Sequence, residues 1–433
     1  MANSASSAPS VTTNTTPHTD YRAMSVVTAL FFMWGFVTCL NDILIPHLKS
    51  IFDFNYAQVL LVQTSFFLSY FVFSLPSGKF IDKFGYGKTA VTGLVVMGAG
   101  ALVFLPAANA ASFALFLVAI VTLAAGMTLL QTAANPYVAV LGPPETAASR
   151  LNLAQAFNSL GTTLAPWFGS RLILGGVAGA VAVEVLKTYS PQQLQFYRAS
   201  QAASVKMPYI IIAIVLFALA IALALYRLPS IPQAEAHGEV HDSIWRYRHL
   251  VLGAAAIFTY VGAEVAIGSL MANYLNLTEI GNLTLADAAR MLQYYWGGAM
   301  VGRFVGAVLL QKIRTNNLLA FNAVLACVLV LISTFTMGHT AMWAILAVGL
   351  FNSIMFPAIF TLGIAGLGPL TGEGSALLVA AIVGGAVIPL LQGFVADRIG
   401  LHMSFVLPAM CYVYIALYAW RGSLPRTTAL PAN

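Results

Sequence analysis

Residues 31–46 read FFMWGFVTCLNDILIP and belong to the first long apolar segment of the chain. This stretch carries one carboxylate, Asp42, beside one carboxamide, Asn41. A charge inside a membrane-spanning helix costs at least about 2.5–3.5 kcal/mol on insertion scales, so such a residue marks a functional site by default. We therefore take Asp42 as the leading candidate for the centre of a solute pathway.

The composition predicts a helical membrane protein with many spans. Of the 433 residues, 59% are hydrophobic and 8% are charged, whereas a soluble domain averages about 25% charged residues. Crossing a bilayer takes about 20 apolar residues. Twelve runs of that length predict an all-α membrane protein, with approximate spans at 24–46, 58–80, 89–108, 112–140, 151–175, 207–228, 249–275, 291–311, 317–336, 341–366, 374–396 and 402–420.

Other classes of protein fit the sequence poorly. The net charge of +6 comes from dispersed basic residues, which argues against nucleic-acid binding. The three cysteines lie in apolar runs and form neither a disulfide framework nor a metal motif. The sequence contains no His-Glu-x-x-His and no Gly-x-Ser-x-Gly motif, so we expect no enzyme. We expect no cofactor, and a sodium ion near Asp42 is the one metal that the sequence leaves open.

The two halves of the chain resemble each other. Asp42 and Glu264 are 222 residues apart, and each lies in the first span of its half. Pro136 and Pro357 are 221 residues apart. Such a repeat predicts two pseudo-symmetric six-helix bundles with the substrate between them, which is the architecture of the major facilitator superfamily. The predicted units are a disordered tail at 1–22, bundles at 23–228 and 249–421, a linker at 229–248 and a second tail at 422–433.

The distribution of Lys and Arg predicts the orientation in the membrane. If the N-terminus is cytoplasmic, twelve of these residues lie inside and seven lie outside. Cytoplasmic loops are enriched in Lys and Arg, so we expect both termini and the 229–248 linker in the cytoplasm. We predict a multi-pass protein of the plasma membrane, in a bacterium the inner membrane. Its partners would be the lipid bilayer and a small solute, and we expect a monomer.

The loop after the second span resembles a cytoplasmic signature of the same superfamily. Residues 78–88 read GKFIDKFGYGK. Gly78 permits a close helix approach, and Asp82 can pair with a basic group or with the positive end of a helix on the other half. Together with Lys83, these residues predict a conformational latch for the outward-facing state. The alternative is an ordinary solvated loop.

Polar side chains recur at helical spacing on three spans, as a cavity lining would. The members are Phe31, Gly35, Thr38 and Asp42 on the first span, Thr128, Gln131 and Asn135 on the fourth, and Asn152, Gln155, Asn158 and Thr162 on the fifth. Carboxamides in hydrocarbon need partners. They suit a sugar, whose hydroxyl groups donate and accept, but they also suit bonds between packed helices.

Both carboxylates have a second interpretation. Asp42 could lie near the outer end of a helix that stops at Pro46, where a charge costs little. Glu264 either binds the substrate or forms a structural ion pair with Arg303 of the eighth span. The sequence leaves both alternatives open.

Four segments are similar to the fucose/glucose/galactose permease branch of the superfamily. They are residues 40–46 (LNDILIP), 131–137 (QTAANPY), 150–159 (RLNLAQAFNS) and 353–357 (SIMFP). By this resemblance, Asp42 corresponds to the acidic residue of proton coupling, Gln155 and Asn158 to residues near the sugar, and Phe356 to an aromatic residue that lines or gates the site. The fucose permease has a glutamate where this chain has Gln131, which cannot titrate. That difference favours the glucose/galactose branch and leaves proton and sodium coupling open.

These inferences predict a cation-coupled symporter, driven by protons or sodium, that carries a monosaccharide by alternating access. An aldohexose such as glucose or galactose is the expected substrate. An uncoupled facilitator, or an exporter of another polar solute, is the alternative. Asp42 is the predicted coupling residue, and the predicted substrate-binding residues are Asn41, Gln131, Asn135, Gln155, Asn158, Glu264, Asn352 and Phe356.

Overall fold

In the computed structural model, every regular element of the described part of the chain is helical. The structure describes residues 19–52, 56–110, 112–169, 185, 188–194, 196–197, 206–226, 228–229 and 243–424, without the side chains of residues 40–61, 63 and 169. The predicted tail before residue 19, most of the predicted linker and residues 425–433 lie outside this description. The proposed unit boundaries in these regions therefore stay predictions.

The described helices follow the twelve predicted spans in order. The first is Tyr21–Phe52, and Tyr56–Asn109 holds the second and third. The following spans are Phe113–Val140, Ala147–Gly169, Lys206–Tyr226, Arg248–Asn276, Leu285–Leu309, Thr315–Phe335, Gly338–Ile364 (interrupted after Asn352), Gly368–Ile399 (interrupted after Ala380) and Leu401–Gly422.

By length and composition alone, nine helices of the described residues qualify as membrane-spanning. Twelve spans remain the correct number, because one of the nine contains two spans and two others are too polar to qualify. The fifth span, Ala147–Gly169, and the eighth, Leu285–Leu309, are the two polar ones. Both contribute polar side chains to the site described below.

Gly85 divides the longest helix into two spans. A straight helix of 54 residues would be about 80 Å long at 1.5 Å per residue, more than twice the thickness of a bilayer core. Gly85 has φ of +80° and interrupts the helix. Glycine takes this conformation without a steric penalty. The second span therefore ends and the third begins at Gly85, and the neighbouring residues Asp82 and Lys83 lie outside the predicted spans.

The internal repeat is present in the packing of the two halves. A Cβ atom on Gly161 of the fifth span would overlap the carbonyl oxygen of Phe32 on the first span. Gly384, 223 residues further on, has the same relationship to Phe258 of the seventh span. In each half, a glycine therefore lets two inner helices approach closely at the corresponding place. This agreement confirms the two-fold organisation expected from the sequence.

The first helix is longer than predicted at both ends. It begins at Tyr21, inside the predicted tail, because Asp20 Oδ1 accepts the backbone N–H groups of Arg22 and Ala23 at 3.0 Å. A side-chain acceptor at this position satisfies N–H groups that have no partner within the helix. At its other end the helix continues past Pro46 to Phe52. The backbone at Asp42 is therefore helical and lies well before the end of the helix.

Candidate functional site

A cavity of about 660 Å³ lies between the two halves. This volume falls in the usual range for small-molecule sites, about 300–1,000 Å³. The N-terminal half contributes Thr38, Cys39, Val62, Phe66, Phe67, Ile120, Asn158, Ser159, Thr162, Thr163 and Pro166, and the C-terminal half contributes Glu264, Val265, Gly268, Ser269, Gln293, Trp296, Gly297, Ala299 and Arg303. The lining combines aromatic rings, hydroxyl groups, carboxamides and one charge of each sign.

Hydrogen bonds between the halves close the molecule on one side of this cavity. Ser149 Oγ of the fifth span donates to the carbonyl oxygen of Ala307 at 2.6 Å. Asn152 Nδ2 donates to the carbonyl oxygen of Arg303, also at 2.6 Å. We call this the terminus side, because the first helix begins there, with the N–H of Asp20 3.3 Å from the carbonyl oxygen of Leu141.

The opposite side of the cavity is open. Trp296, on the cavity wall, is 44% exposed, and Thr163 and Pro166 are also exposed. A cavity that is closed at one end and open at the other is one of the two end states of an alternating-access transporter.

The predicted latch residues lie on the closed side. A Cβ atom on Gly78 would be 2.9 Å from Ala376 Cβ on the eleventh span. Asp82 Oδ1 would be 2.8 Å from a Cβ atom on Gly372, in the first turn of the helix Thr371–Ala380. Burial raises the pKa of the Asp82 carboxyl to about 6, and the nearby Glu373 carboxylate acts in the same direction.

Lys83, the third predicted latch residue, takes a different position. Its Nζ atom lies 5.3 Å from the centroid of the Phe84 ring, within the range of a cation–π contact. The geometry therefore places Gly78 and Asp82 against the other half, whereas Lys83 contacts its neighbour in the chain. The functional role of the three as a latch stays a proposal.

Glu264 lines the cavity, and a network of tyrosines stands behind it. Tyr260 Oη donates to Glu264 Oε1 at 2.8 Å. Asn352 Nδ2 donates to Tyr295 Oη at 2.8 Å, and Tyr412 Oη donates to Asn352 Oδ1 at 2.8 Å. Tyr260 and Tyr295 lie on the seventh and eighth spans, and Asn352 and Tyr412 on the tenth and twelfth. One hydrogen-bonded group thus fixes four helices of the C-terminal half around the carboxylate.

Arg303 does not form a direct ion pair with Glu264, although both line the cavity. Its Nη1 atom donates to Ser159 Oγ and lies 3.5 Å from the carbonyl oxygen of Gln155. Its Nε atom lies 3.3 Å from the carbonyl oxygen of Ser353. The guanidinium is therefore held by neutral oxygen atoms of both halves.

Of the predicted substrate-binding residues, Asn158 and Glu264 lie on the cavity wall. Asn158 Nδ2 also donates to the carbonyl oxygen of Phe31 at 3.0 Å. The structure therefore brings a fifth-span carboxamide and a seventh-span carboxylate together at the surface where a solute would bind.

Four other candidates are buried next to the cavity and do not line it in this state. Gln131 Nε2 donates to Tyr70 Oη at 2.7 Å, while its Oε1 atom has no partner among the described residues. Both side-chain polar atoms of Asn135 are likewise buried without a partner in the described part of the chain. Gln155 is 5% exposed, and Asn352 is fully buried in the tyrosine network. Whether these residues bind substrate stays a prediction.

The remaining candidates belong to the tenth and first spans. Phe356 is 8% exposed and stacks on Phe360 with ring centroids 5.9 Å apart, away from the listed walls of the cavity. The side chains of Asn41 and Asp42 lie outside the description. The helix that carries them places Thr38, one turn before Asp42, on the cavity wall.

Several lining residues were absent from the predicted site. Arg303 had a signal, since it is the one Lys or Arg inside a predicted span, but the sequence linked it only to Glu264. Ser159 and Thr162 appeared in the polar stripe of the fifth span. Trp296, Phe66 and Phe67 had no signal, because an apolar side chain in a membrane helix reads the same whether it faces lipid or a cavity.

Comparison with known proteins identifies the family. Residues 26–381 match the family described as Major Facilitator Superfamily. The chain therefore belongs to this superfamily, whose members are transporters and not enzymes.

Two characterised branches of the family are similar over nearly the whole chain. A glucose/galactose transporter of Brucella abortus biovar 1 (strain 9-941) is 48% identical over 425 residues, which cover 96% of this chain and 99% of the relative. An L-fucose-proton symporter of Escherichia coli (strain K12) is 36% identical over 404 residues, with 91% and 92% covered. A crystal structure of the E. coli fucose:proton symporter superposes with a TM-score of 0.85 over 92% of this chain and 97% of that one.

The conformation has a counterpart as well. A crystal structure described as a major facilitator transporter in the outward conformation is 36% identical and gives the same TM-score, 0.85, with the same coverage. The present chain shares that overall fold, with its cavity closed on the terminus side.

Proposed function

We propose that this protein is a proton-coupled monosaccharide symporter of a bacterial inner membrane, with glucose or galactose as its substrate. The single observation that carries the proposal is the cavity between the halves, where Asn158, Glu264 and Arg303 converge beside Trp296. The similarity to a glucose/galactose transporter over 96% of the chain supports the choice of aldohexose.

The lining of the cavity has the chemistry that a sugar requires. Sugar hydroxyl groups both donate and accept hydrogen bonds, so they need acceptors such as the Glu264 carboxylate and donors such as the Arg303 guanidinium. The C–H face of a pyranose ring packs against aromatic rings, which Trp296, Phe66 and Phe67 provide. An apolar wall with a few well-placed polar groups is typical of a small-molecule site.

Asp42 is the proposed coupling residue. It follows Thr38 by one turn on a helix whose Thr38 and Cys39 line the cavity. In the outward state, a proton from outside would neutralise the Asp42 carboxylate and lower the cost of enclosing it in a dry, occluded cavity. Release of the proton inside would restore the charge and reset the cycle. We propose protons rather than sodium, because the related symporter of E. coli is described as a proton symporter.

The orientation and the latch complete the mechanism. The excess of Lys and Arg supports a cytoplasmic location for both termini, so the closed terminus side would face the cytoplasm. Gly78 and Asp82, packed against the eleventh span, would then hold the outward-facing state. Inward opening requires this contact and the bonds between the fifth and eighth spans to separate.

Counterflow in proteoliposomes tests the proposed function. Purified protein is reconstituted into vesicles preloaded with one sugar of a panel that includes glucose, galactose, fucose and xylose. Uptake of radiolabelled sugar is measured with and without a pH gradient, sodium and a protonophore. We expect exchange of glucose or galactose, and accumulation that needs the pH gradient and is abolished by the protonophore.

Two results would replace this proposal. Accumulation that depends on sodium and ignores the protonophore would identify sodium as the coupling ion. Exchange without accumulation under any ion gradient would identify an uncoupled facilitator. Absence of exchange for every sugar of the panel would reject a monosaccharide as the substrate.

A further inference from the structure

Arg303 joins the two halves at the inner end of the cavity. Its Nη1 atom contacts Ser159 Oγ and the carbonyl oxygen of Gln155, both on the fifth span, and its Nε atom contacts the carbonyl oxygen of Ser353 on the tenth. The same residue also lines the cavity. One side chain therefore contacts both the space for the solute and the interface that keeps the terminus side closed.

We propose that Arg303 is a positioning residue that links sugar binding to release of this interface, a contact we call the Arg303 strap. A sugar hydroxyl in the cavity takes over the N–H bonds that Ser159 and Gln155 accept in the empty site. Loss of those bonds frees the eighth span from the fifth on the terminus side. The inference rests on the proposed sugar site.

The exchange of partners is chemically balanced. A guanidinium has five N–H donors and no acceptor, so it must find oxygen atoms in a buried position. Its present partners are a hydroxyl group and two backbone carbonyl groups. A sugar hydroxyl is an acceptor of the same neutral kind as Ser159 Oγ. Since Glu264 accepts from Tyr260 and forms no direct ion pair with Arg303, no carboxylate competes with the sugar for the guanidinium.

Arg303 is also the first member of a row of contacts between the fifth and eighth spans. Asn152 Nδ2 donates to its carbonyl oxygen at 2.6 Å. One and two turns further on, Ser149 Oγ donates to the carbonyl oxygen of Ala307 at 2.6 Å, and Gln311 Nε2 lies 3.4 Å from Ser149 Oγ. The row runs from the cavity to the terminus side. Displacing Arg303 therefore opens the row at the end that the substrate reaches.

A native thiol offers a direct measure of the open cavity. Cys39 lines it, whereas Cys327 and Cys411 are buried. A membrane-impermeant maleimide should alkylate Cys39 when the cavity faces outward, and a bound sugar should slow the reaction. Labelling without sugar then reports the outward population, and protection by increasing glucose or galactose reports the apparent affinity.

Three variants separate the strap from an ordinary sugar contact. Arg303→Gln should weaken sugar protection by about tenfold or more, because a hydrogen bond from a charged group contributes about 1.5–3 kcal/mol. Ser159→Ala removes the acceptor that competes with the sugar, so it should strengthen sugar protection several-fold. Both should slow Cys39 labelling without sugar, because the outward state loses a bond. Arg290→Gln is the matched control, since Arg290 lies on the same helix and pairs only with the exposed Asp287 at 3.4 Å.

The opposite signs make the test decisive. If Ser159→Ala weakens protection as Arg303→Gln does, Ser159 is itself a sugar ligand and the strap is rejected. Unchanged labelling and protection in Arg303→Gln would also reject it. If no sugar protects the wild-type protein, the proposed function fails, whereas the labelling rates without sugar still test the strap.

Discussion

Ser375 Oγ donates a hydrogen bond to the carbonyl oxygen of Thr132 at 2.8 Å, and this bond joins the eleventh span to the fourth. In a regular helix, the N–H of residue 136 would donate to that carbonyl group, but residue 136 is Pro136 and has no N–H. The C-terminal half therefore supplies the donor that the N-terminal half lacks. Both Ser375 and Thr132 are fully buried.

This pairing predicts that Ser375→Ala destabilises the closed terminus side. A buried carbonyl group left without a donor costs about 1–3 kcal/mol, which corresponds to a shift of about fivefold to 150-fold in the outward population. We expect slower labelling of Cys39 by the impermeant maleimide. Ser69→Ala is the matched control, because Ser69 is also buried but donates only to Ser65 in its own helix.

Pro136→Ala tests the cause of that effect. Alanine restores an N–H that can donate to Thr132 within the helix, so Ser375→Ala should cost less in this background. A double-mutant cycle on the Cys39 labelling rate measures the coupling. Equal effects of Ser375→Ala in both backgrounds would contradict the account.

Asp42→Asn should abolish concentrative uptake and spare exchange. Asparagine cannot take up the proton that couples transport, but it keeps the size of the side chain and its hydrogen-bonding capacity. Uptake driven by a pH gradient and counterflow at equal pH measure the two activities. Asp287→Asn, at an exposed ion pair, is the control, and undiminished accumulation in Asp42→Asn would exclude this residue as the coupling site.

Glu264→Gln should raise the KM for sugar by about tenfold to a hundredfold. It replaces a charged acceptor on the cavity wall with a neutral one, and a hydrogen bond to a charged group contributes about 1.5–3 kcal/mol. Initial rates of uptake over a range of sugar concentrations give KM and kcat. Glu279→Gln, on an exposed loop, should leave both unchanged. An unchanged KM in Glu264→Gln would leave the carboxylate with no part in sugar binding.

Closure of the terminus side should depend on pH through Asp82. An exposed aspartate titrates near pH 3.9, and packing against the eleventh span raises the pKa of Asp82 to about 6. The closed side therefore binds the proton more tightly, so closure is favoured as the pH falls and is weakest above about pH 6. Cys39 labelling in the wild type relative to Asp82→Asn should be faster at about pH 5 than at about pH 7.5. Dividing by the Asp82→Asn rate removes the pH dependence of the thiol itself, and a constant ratio would contradict the prediction.

Asn352→Ala should reduce thermal stability. The substitution takes hydrogen-bond partners from the buried hydroxyl groups of Tyr295 and Tyr412, and each buried group left unsatisfied costs about 1–3 kcal/mol. Thermal unfolding of the detergent-solubilised protein measures the change. Asn322→Ala is the control, since Asn322 is also buried but donates to Leu318 within its own helix. An equal decrease in Tm for both variants would show that the tyrosine network contributes no additional stability.

The sequence alone determined the class of protein, the twelve spans and the repeat. Hydrocarbon imposes about 20 apolar residues on each span and makes helices the only open-chain way to satisfy the backbone, so these features are written in composition and length. The pair Gly161 and Gly384 shows how far this reaches, because the same spacing that related Asp42 to Glu264 also relates two glycines at equivalent helix contacts. Even Arg303 stood out as a charge within a span.

Only the tertiary structure decided what each polar side chain faces. Asn158 and Asn352 look alike in the sequence, yet Asn158 lines the cavity and Asn352 is enclosed by Tyr295 and Tyr412. The difference depends on how each helix is rotated against its neighbours from both halves, and hydrophobic periodicity within one helix does not specify that rotation. The same holds for Arg303, which contacts Ser159 of the other half instead of Glu264 of its own. Which side of the membrane is closed depends on contacts between residues more than 140 positions apart, such as Ser149 with Ala307.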